Sequence, residues 1–81
     1  MTERFEGIIE FLRVQRPNVC VLFVRTGTGN ERAVCFDAMA QQASLLQVGD
    51  RICGIGRRKP FSAPRGRFKT QIIVENFKLE N

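Results

Sequence analysis

Residues 31–57 read ERAVCFDAMAQQASLLQVGDRICGIGR, and the hydrophobic period changes twice within them. Glu31 to Phe36 ends in the apolar run AVCF and reads as a strand. Asp37, a residue type favoured at helix N-caps, then precedes AMAQQASLLQV, where Met39, Ala43 and Leu46 recur at helical spacing. Gly49 suits the position just beyond a helix C-terminus, so the spacing predicts a helix of about three turns. From Asp50 to Arg57 the chain resumes as a strand, its glycines marking a bulge or a tight curve. Whatever the fold, it carries a strand, a short helix and a strand in that order.

Working outward, "RFEGIIEFLRV" (Arg4 to Val14) mixes Ile, Phe and Val with charges, and Gly7 permits a bulge or sharp bend. "QRPN" (Gln15 to Asn18) supplies a turn, since Pro17 cannot continue a strand ladder. "VCVLFVR" (Val19 to Arg25) is apolar on both alternating faces, and "TGTGN" (Thr26 to Asn30) reads as a hairpin connection. "KTQIIVENFKL" (Lys69 to Leu79) is a last strand. Three strands, one helix and two strands is the chain order of an all-β OB-fold, a five-stranded Greek-key barrel with one short helix between strands three and four. An SH3-like barrel would not place a helix there. Residues 1–81 are expected to form a single OB-fold domain, with a modest core for this length.

Charge is the second signal. The net charge is +5, with 43% hydrophobic and 26% charged residues and no His. In the first half, Arg4, Arg13, Arg16, Arg25 and Arg32 are offset by Glu3, Glu6, Glu10, Glu31 and Asp37. In the second half the excess gathers in "GRRKPFSAPRGRFK" (Gly56 to Lys69), which contains no carboxylate. Such a patch points to a polyanionic partner, most often nucleic acid. The apolar run Val19 to Val24 falls far short of the roughly 20 residues of a membrane span, and MTERFEGIIE lacks the basic start of a secretory signal. A soluble cytoplasmic protein without membrane contact is expected. Cys20, Cys35 and Cys53 include no C-x-x-C pair and sit in apolar runs, as buried free thiols of a reducing compartment would.

Catalysis is not expected. Without His, acid–base work would fall to scattered carboxylates, and "TGTGNE" lacks the Lys-Ser/Thr and following helix of a phosphate loop. Ser44 and Ser62 have no base nearby in sequence. Neither a metal, a cofactor nor a small-molecule substrate is implied.

Binding fits the residues better. OB barrels take oligonucleotides across strands two and three, flanked by the loops after strand one and between strands four and five. The latter loop is expected to span the basic stretch, with Arg57, Arg58, Lys59, Arg65, Arg67 and Lys69 for phosphates and Phe61 and Phe68 for stacking on bases. The former loop contributes Arg13 and Arg16. A solvated basic loop is the plainer alternative, and Phe61 and Phe68 could instead close the barrel end. Phe5, Phe11 and Phe77 lie in terminal strands and are expected in the core. On strand two, Val19, Val21 and Phe23 share one face and Cys20, Leu22 and Val24 the other, so filling the core with one set leaves an apolar stripe outside. That stripe suits bases or a second protein chain, including a homodimer partner.

From Arg32 onward the chain resembles the bacterial single-stranded DNA-binding protein family. The likeness runs through "RAVCFDAMAQQASLLQVGDRICGIGRRKPF" and "KTQIIVENFKL": a third strand ending in Phe, an Ala-rich helix, a "KGD"-like turn, a strand with a bulge glycine, and the last strand. It implies that Arg32, Val34 and Phe36 face the ligand while Ala33 and Cys35 lie inside. It also implies that Phe36 meets a base, that Gly56 is the bulge glycine, and that Phe61 lies near a base-stacking position. On strand two it would turn Val21, Phe23 and Arg25 outward. The sequence has neither Trp nor Tyr and lacks the family's acidic C-terminal tail, in which it is similar to the tail-less primosomal replication protein N. Translation initiation factor one and S1-type domains share the size, the basicity and a "VGD" turn. Single-stranded DNA, in DNA replication, is the expected partner, and RNA the alternative.

Overall fold

The computed structural model describes residues 1–62, 66 and 68–80. Its elements follow in chain order as β1 (Thr2–Arg16), β2 (Val19–Thr26), β3 (Gly29–Phe36), α1 (Asp37–Ala43), β4 (Arg51–Pro60) and β5 (Thr70–Leu79). The strands close into a barrel in the order β1-β2-β3-β5-β4, with β4 returning to β1. Every pairing is antiparallel except the short parallel contact of β3 with β5, Ala33 opposite Ile72 and Val34 opposite Ile73. The five-stranded barrel with a helix between its third and fourth strands is the OB-fold that the order of elements predicts. Among the described residues no helix is long and apolar enough to cross a membrane.

Closure depends on β1 serving two neighbours. Thr2 to Ile8 pair with β4, and Ile8 to Arg16 pair with β2. The strand changes partner beside Gly7, where a Cβ would collide with the Arg25 carbonyl, so this close crossing requires glycine. The inner faces bring together Phe5, Ile9, Leu22, Val24, Ile52 and Ile72, and α1 packs Ala40 and Ala43 against that core. Burial of each larger aliphatic side chain contributes about 1.5–3 kcal/mol before entropy is counted. Cys20 and Cys35 face each other across β2 and β3 with no exposure, and all three cysteines are free and buried. Burial, aided by the neighbouring Cys20, pushes the Cys35 thiol up to about 12, so the pair behaves as small hydrophobic groups.

β1 runs on to Arg16, which puts Arg13 and Arg16 on that strand opposite Val21 and Val19 rather than in the loop after it. Three further expectations are corrected. Asp37 is the first residue of α1 rather than its cap. The N-cap is Phe36, without a side-chain cap bond, and Asp37 adopts φ 54° while donating its N–H to the Asn18 carbonyl at 2.9 Å. Aspartate tolerates that left-handed region better than most residues, so Asp37 ties the helix start to the β1–β2 turn. The helix stops at Ala43, with Ser44 as its C-cap, and the positive φ of Gly49 serves the following turn. There the Gly49 N–H reaches the Ile9 carbonyl at 2.8 Å, the Ile9 N–H reaches the Asp50 carbonyl at 2.9 Å, and the Asp50 carboxylate accepts from the Gln47 N–H, so the turn at Gly49 and Asp50 is anchored on β1. Finally, β4 runs on to Pro60, which puts Arg57, Arg58 and Lys59 on a strand opposite Ile73, Ile72 and Gln71 instead of in a loop. Its register against β5 slips between Ile55 and Gly56, where a side chain would meet the Ile73 carbonyl.

Candidate nucleic-acid interface

Residues opposite one another in paired strands share a face, so the outer surface can be read as rows across the sheet. One row is Phe11, Phe23 and Arg32; a second is Arg13, Val21, Val34 and Ile73; a third is Arg16, Val19 and Phe36. Arginines thus alternate with apolar and aromatic groups over β1, β2 and β3. Ala33 and Cys35 are fully buried on the other side, and Phe36 is 43% exposed. Arg25 is exposed on this face, Phe23 is half-buried, and Val21 points outward yet is only 1% exposed between its neighbours.

The ends of the β4–β5 connection fold over these rows. The Phe61 N–H donates to the Lys69 carbonyl at 2.9 Å, pinning the base of the connection. Phe68 packs on Phe23 with ring centroids 5.6 Å apart, and Phe23 in turn lies 5.6 Å from Phe11, both pairs tilted. Phe61 lies under the Arg32 guanidinium, 4.0 Å from its carbon to the ring centroid. Neither ring closes the barrel end. Two concavities result. The first is formed by Phe11, Phe23 and Phe68 with Glu10, Arg13 and Asn30. The second gathers Arg16, Arg32, Val34, Phe36 and Phe61 beside Gln15 and Gln71.

Phe11 departs from its expected core position, since it is 54% exposed. Strict alternation from Phe5 through Ile9 would turn it inward. A register shift between Ile9 and Phe11 flips the parity, so Leu12 takes the inward place opposite Leu22. Counting back from Arg13, which must face water, would have revealed it. Gln71 was likewise not singled out; its Oε1 accepts a hydrogen bond from Arg32 Nη1, a contact no local pattern announces.

The cations divide into two groups. Arg58 bonds both oxygens of Glu31, at 3.0 and 2.9 Å, together with Glu3 and the Thr70 hydroxyl. These bonds raise its pKa further above the usual arginine value, led by the bonds to Glu31 and then Glu3, and its charge is spent within the chain. Arg57 pairs with Glu75 at 2.8 Å, and Arg25 lies 3.9 Å from Glu10. Among the described residues, Arg13, Arg16, Arg32, Lys59 and Lys69 have no carboxylate within ion-pair distance. Arg65 and Arg67 lie outside the described residues.

Elsewhere, Glu6, Cys53 and Glu80 bring possible ligand atoms within 4.8 Å of one another. Arg4 already sits there, its Nε 3.2 Å from Cys53 Sγ, and Arg51 and Lys78 line the adjoining concavity. Those cations balance the carboxylates and oppose a metal ion.

No family model matches the chain, and no curated protein is significantly similar to it in sequence. Its fold is matched by solved structures. Asparaginyl-tRNA synthetase of Entamoeba histolytica, in complex with asparaginyl-adenylate, superposes with a TM-score of 0.82 at 17% identity over 98% of this chain. The chain spans 20% of that enzyme's length. The S. pombe Stn1–Ten1 complex gives a TM-score of 0.80 at 20% identity, covering 98% of this chain and 57% of the matched one. OBody AM3L09, bound to hen egg-white lysozyme, gives 0.83 at 11% identity, covering 99% and 81%. At these identities the likeness is one of fold. The chain is an OB barrel.

Proposed function

We propose that this protein binds single-stranded nucleic acid, DNA ahead of RNA, across the outer face of β1, β2 and β3 without catalysing a reaction. The observation that carries the reading is the interleaving, on one face, of aromatic rings with arginines that have no carboxylate partner. Phe11, Phe23, Phe36, Phe61 and Phe68 offer faces and edges to unpaired bases, and each stacking contact is worth roughly 1–3 kcal/mol. Arg13, Arg16, Lys59 and Lys69 surround them and would neutralise phosphates, releasing counterions. Arg65 and Arg67 would add to that set. Duplex bases hide their faces, which favours single strands, and stacking with charge pairing gives little sequence preference by itself.

The test is a titration of labelled 20-nucleotide single-stranded DNA, single-stranded RNA and duplex DNA over a range of salt. Four to six neutralised phosphates give a log–log salt slope of roughly −3 to −4 on single strands. Equal or tighter binding of duplex, or none at low salt, would sink the proposal. The DNA-to-RNA ratio decides the finer assignment, since one of the similar structures is a tRNA synthetase and RNA recognition turns on the 2′-hydroxyl.

A second reading rests on the exposure of Phe11 and Phe36 on the outer face, which also suits a protein partner or a second copy of the chain. Two of the similar structures are protein assemblies, Stn1–Ten1 and an OBody on lysozyme. Phe23→Ser separates the readings: an adaptor loses its assembly and keeps any salt-sensitive binding of DNA.

A further inference from the structure

Arg32 is a cation held where a cation is costly. Burial lowers its pKa from the usual arginine value, and no carboxylate among the described residues offsets that cost. One face of its guanidinium is covered by the Phe61 ring, and Nη1 donates to Gln71 Oε1. Among the described residues Nε and Nη2 have no hydrogen-bond partner. The planar fork is therefore fixed in orientation, with one two-donor edge left over. Gln71, whose Oε1 is turned to Arg32, keeps its amide N–H groups without a partner among the described residues. The same concavity is walled by Val34, Phe36 and Phe61, with Gln15, Arg16 and Val19 at its margin.

A phosphate would suit the charge but not the walls, because three apolar groups would strip its hydration without replacing it. A flat ligand with apolar faces and paired acceptors on one edge suits both. Two unpaired bases present two adjacent acceptors that a guanidinium fork meets bidentately, guanine through O6 and N7 and cytosine through N3 and O2, and of these the two-ring guanine covers more of the apolar walls. Adenine puts an amino donor beside N7, against the donors of Arg32 and Gln71. Thymine and uracil offer single, separated carbonyls.

We infer that Arg32, stacked on Phe61 and oriented by Gln71, makes the concavity beside Phe36 a guanine-reading subsite. It rests on the single-strand binding proposed above and adds one specified position to an otherwise tolerant surface. Arg32 is the specificity-determining residue, and Gln71 positions it.

The experiment compares 12-nucleotide thymine strands carrying guanine, adenine, cytosine or 7-deazaguanine at every fourth position with an all-thymine strand, by fluorescence anisotropy at fixed salt. That spacing leaves the adenine strand without a stable self-duplex, and 7-deazaguanine keeps O6 but lacks N7. The guanine strand should bind about tenfold tighter than the other four, the discrimination expected of one bidentate contact. Arg32→Lys keeps the charge and loses the fork, so it should abolish the guanine advantage, whatever it does to the affinity common to all strands. An unchanged urea midpoint shows that the variant is folded. Equal affinity for guanine and adenine strands or for guanine and cytosine strands, or an advantage that survives 7-deazaguanine or Arg32→Lys, overturns the inference and leaves single-strand binding standing. Failure of every strand to bind wild type overturns both.

Discussion

Arg32 and Arg58 belong to one barrel and experience opposite surroundings. Arg58 stands opposite Ile72, on the side of β4 that faces the barrel interior, and at the barrel's end it finds Glu3, Glu31 and Thr70. Arg32 stands opposite Phe23, on the outward side of β3, and finds a phenyl ring and a neutral amide. The first ties β1, β3 and the ends of β4 and β5 together. The second is desolvated without a countercharge, which lowers stability unless a ligand supplies acceptors. A basic composition counts both arginines equally. Strand parity turns one toward the barrel's end and the other onto the outer face.

The largest expected effect concerns the face alone. Phe36→Ala should weaken single-strand binding by roughly 5- to 150-fold, the loss of one stacking contact, while changing the urea midpoint little because the ring is already exposed. A matching loss of stability would show that the face is part of the core. Next comes the direct contrast. Arg58→Met should cost about 1–2 kcal/mol of stability, since it breaks an exposed network and leaves Glu3 and Glu31 facing each other. Its affinity for single strands should be unchanged. Arg32→Met should do the reverse, with weaker binding and stability equal to wild type or slightly higher. Urea unfolding and anisotropy on the same samples distinguish the two patterns.

Smaller still is the division between paired and unpaired cations. Arg13→Ala together with Arg16→Ala should flatten the single-strand salt slope by about 1.4, two phosphates at roughly 0.7 each. Arg57→Ala, whose charge is met by Glu75, should change it less. Equal changes would mean that Glu75 releases Arg57 to the nucleic acid.

Much of this was legible in the chain. The two changes of hydrophobic period between Glu31 and Arg57 placed α1 between strands, and the family resemblance, rather than the local pattern, implied that Ala33 and Cys35 lie inside. Local pattern failed where a tertiary contact decides. Phe11 is turned outward by a register shift that the alternation of β1 conceals. The helix ends early because the Gly49–Asp50 turn docks on Ile9, a partner forty residues away in the chain. Arg58 reads as one more cation of a basic run, because Glu3 and Glu31 are brought to it only by barrel closure. Gln71 has no signal at all: a glutamine in a strand reads as solvated until β5 is laid beside β3.

The least effect, and the sharpest on mechanism, is in acid. The hydrogen bonds from Arg58 hold the Glu3 carboxyl below its ordinary pKa of 4.5. A carboxyl whose folded pKa is depressed stabilises the fold above its unfolded pKa, and that contribution is lost as pH falls through the folded value. The urea midpoint of wild type should therefore be insensitive to Glu3 between pH 5 and 7 and decline below about 4.5. In Arg58→Met the depression is gone and Glu31 faces Glu3 without a cation between them, so folded Glu3 no longer titrates below unfolded Glu3 and the acid decline should be shallower. The two curves should converge as pH drops, because protonation removes from wild type what the substitution has already removed. If they stay parallel down to pH 3, the network is held by packing and neutral hydrogen bonds rather than by charge. The contrast between Arg58 and Arg32 would then rest on burial alone.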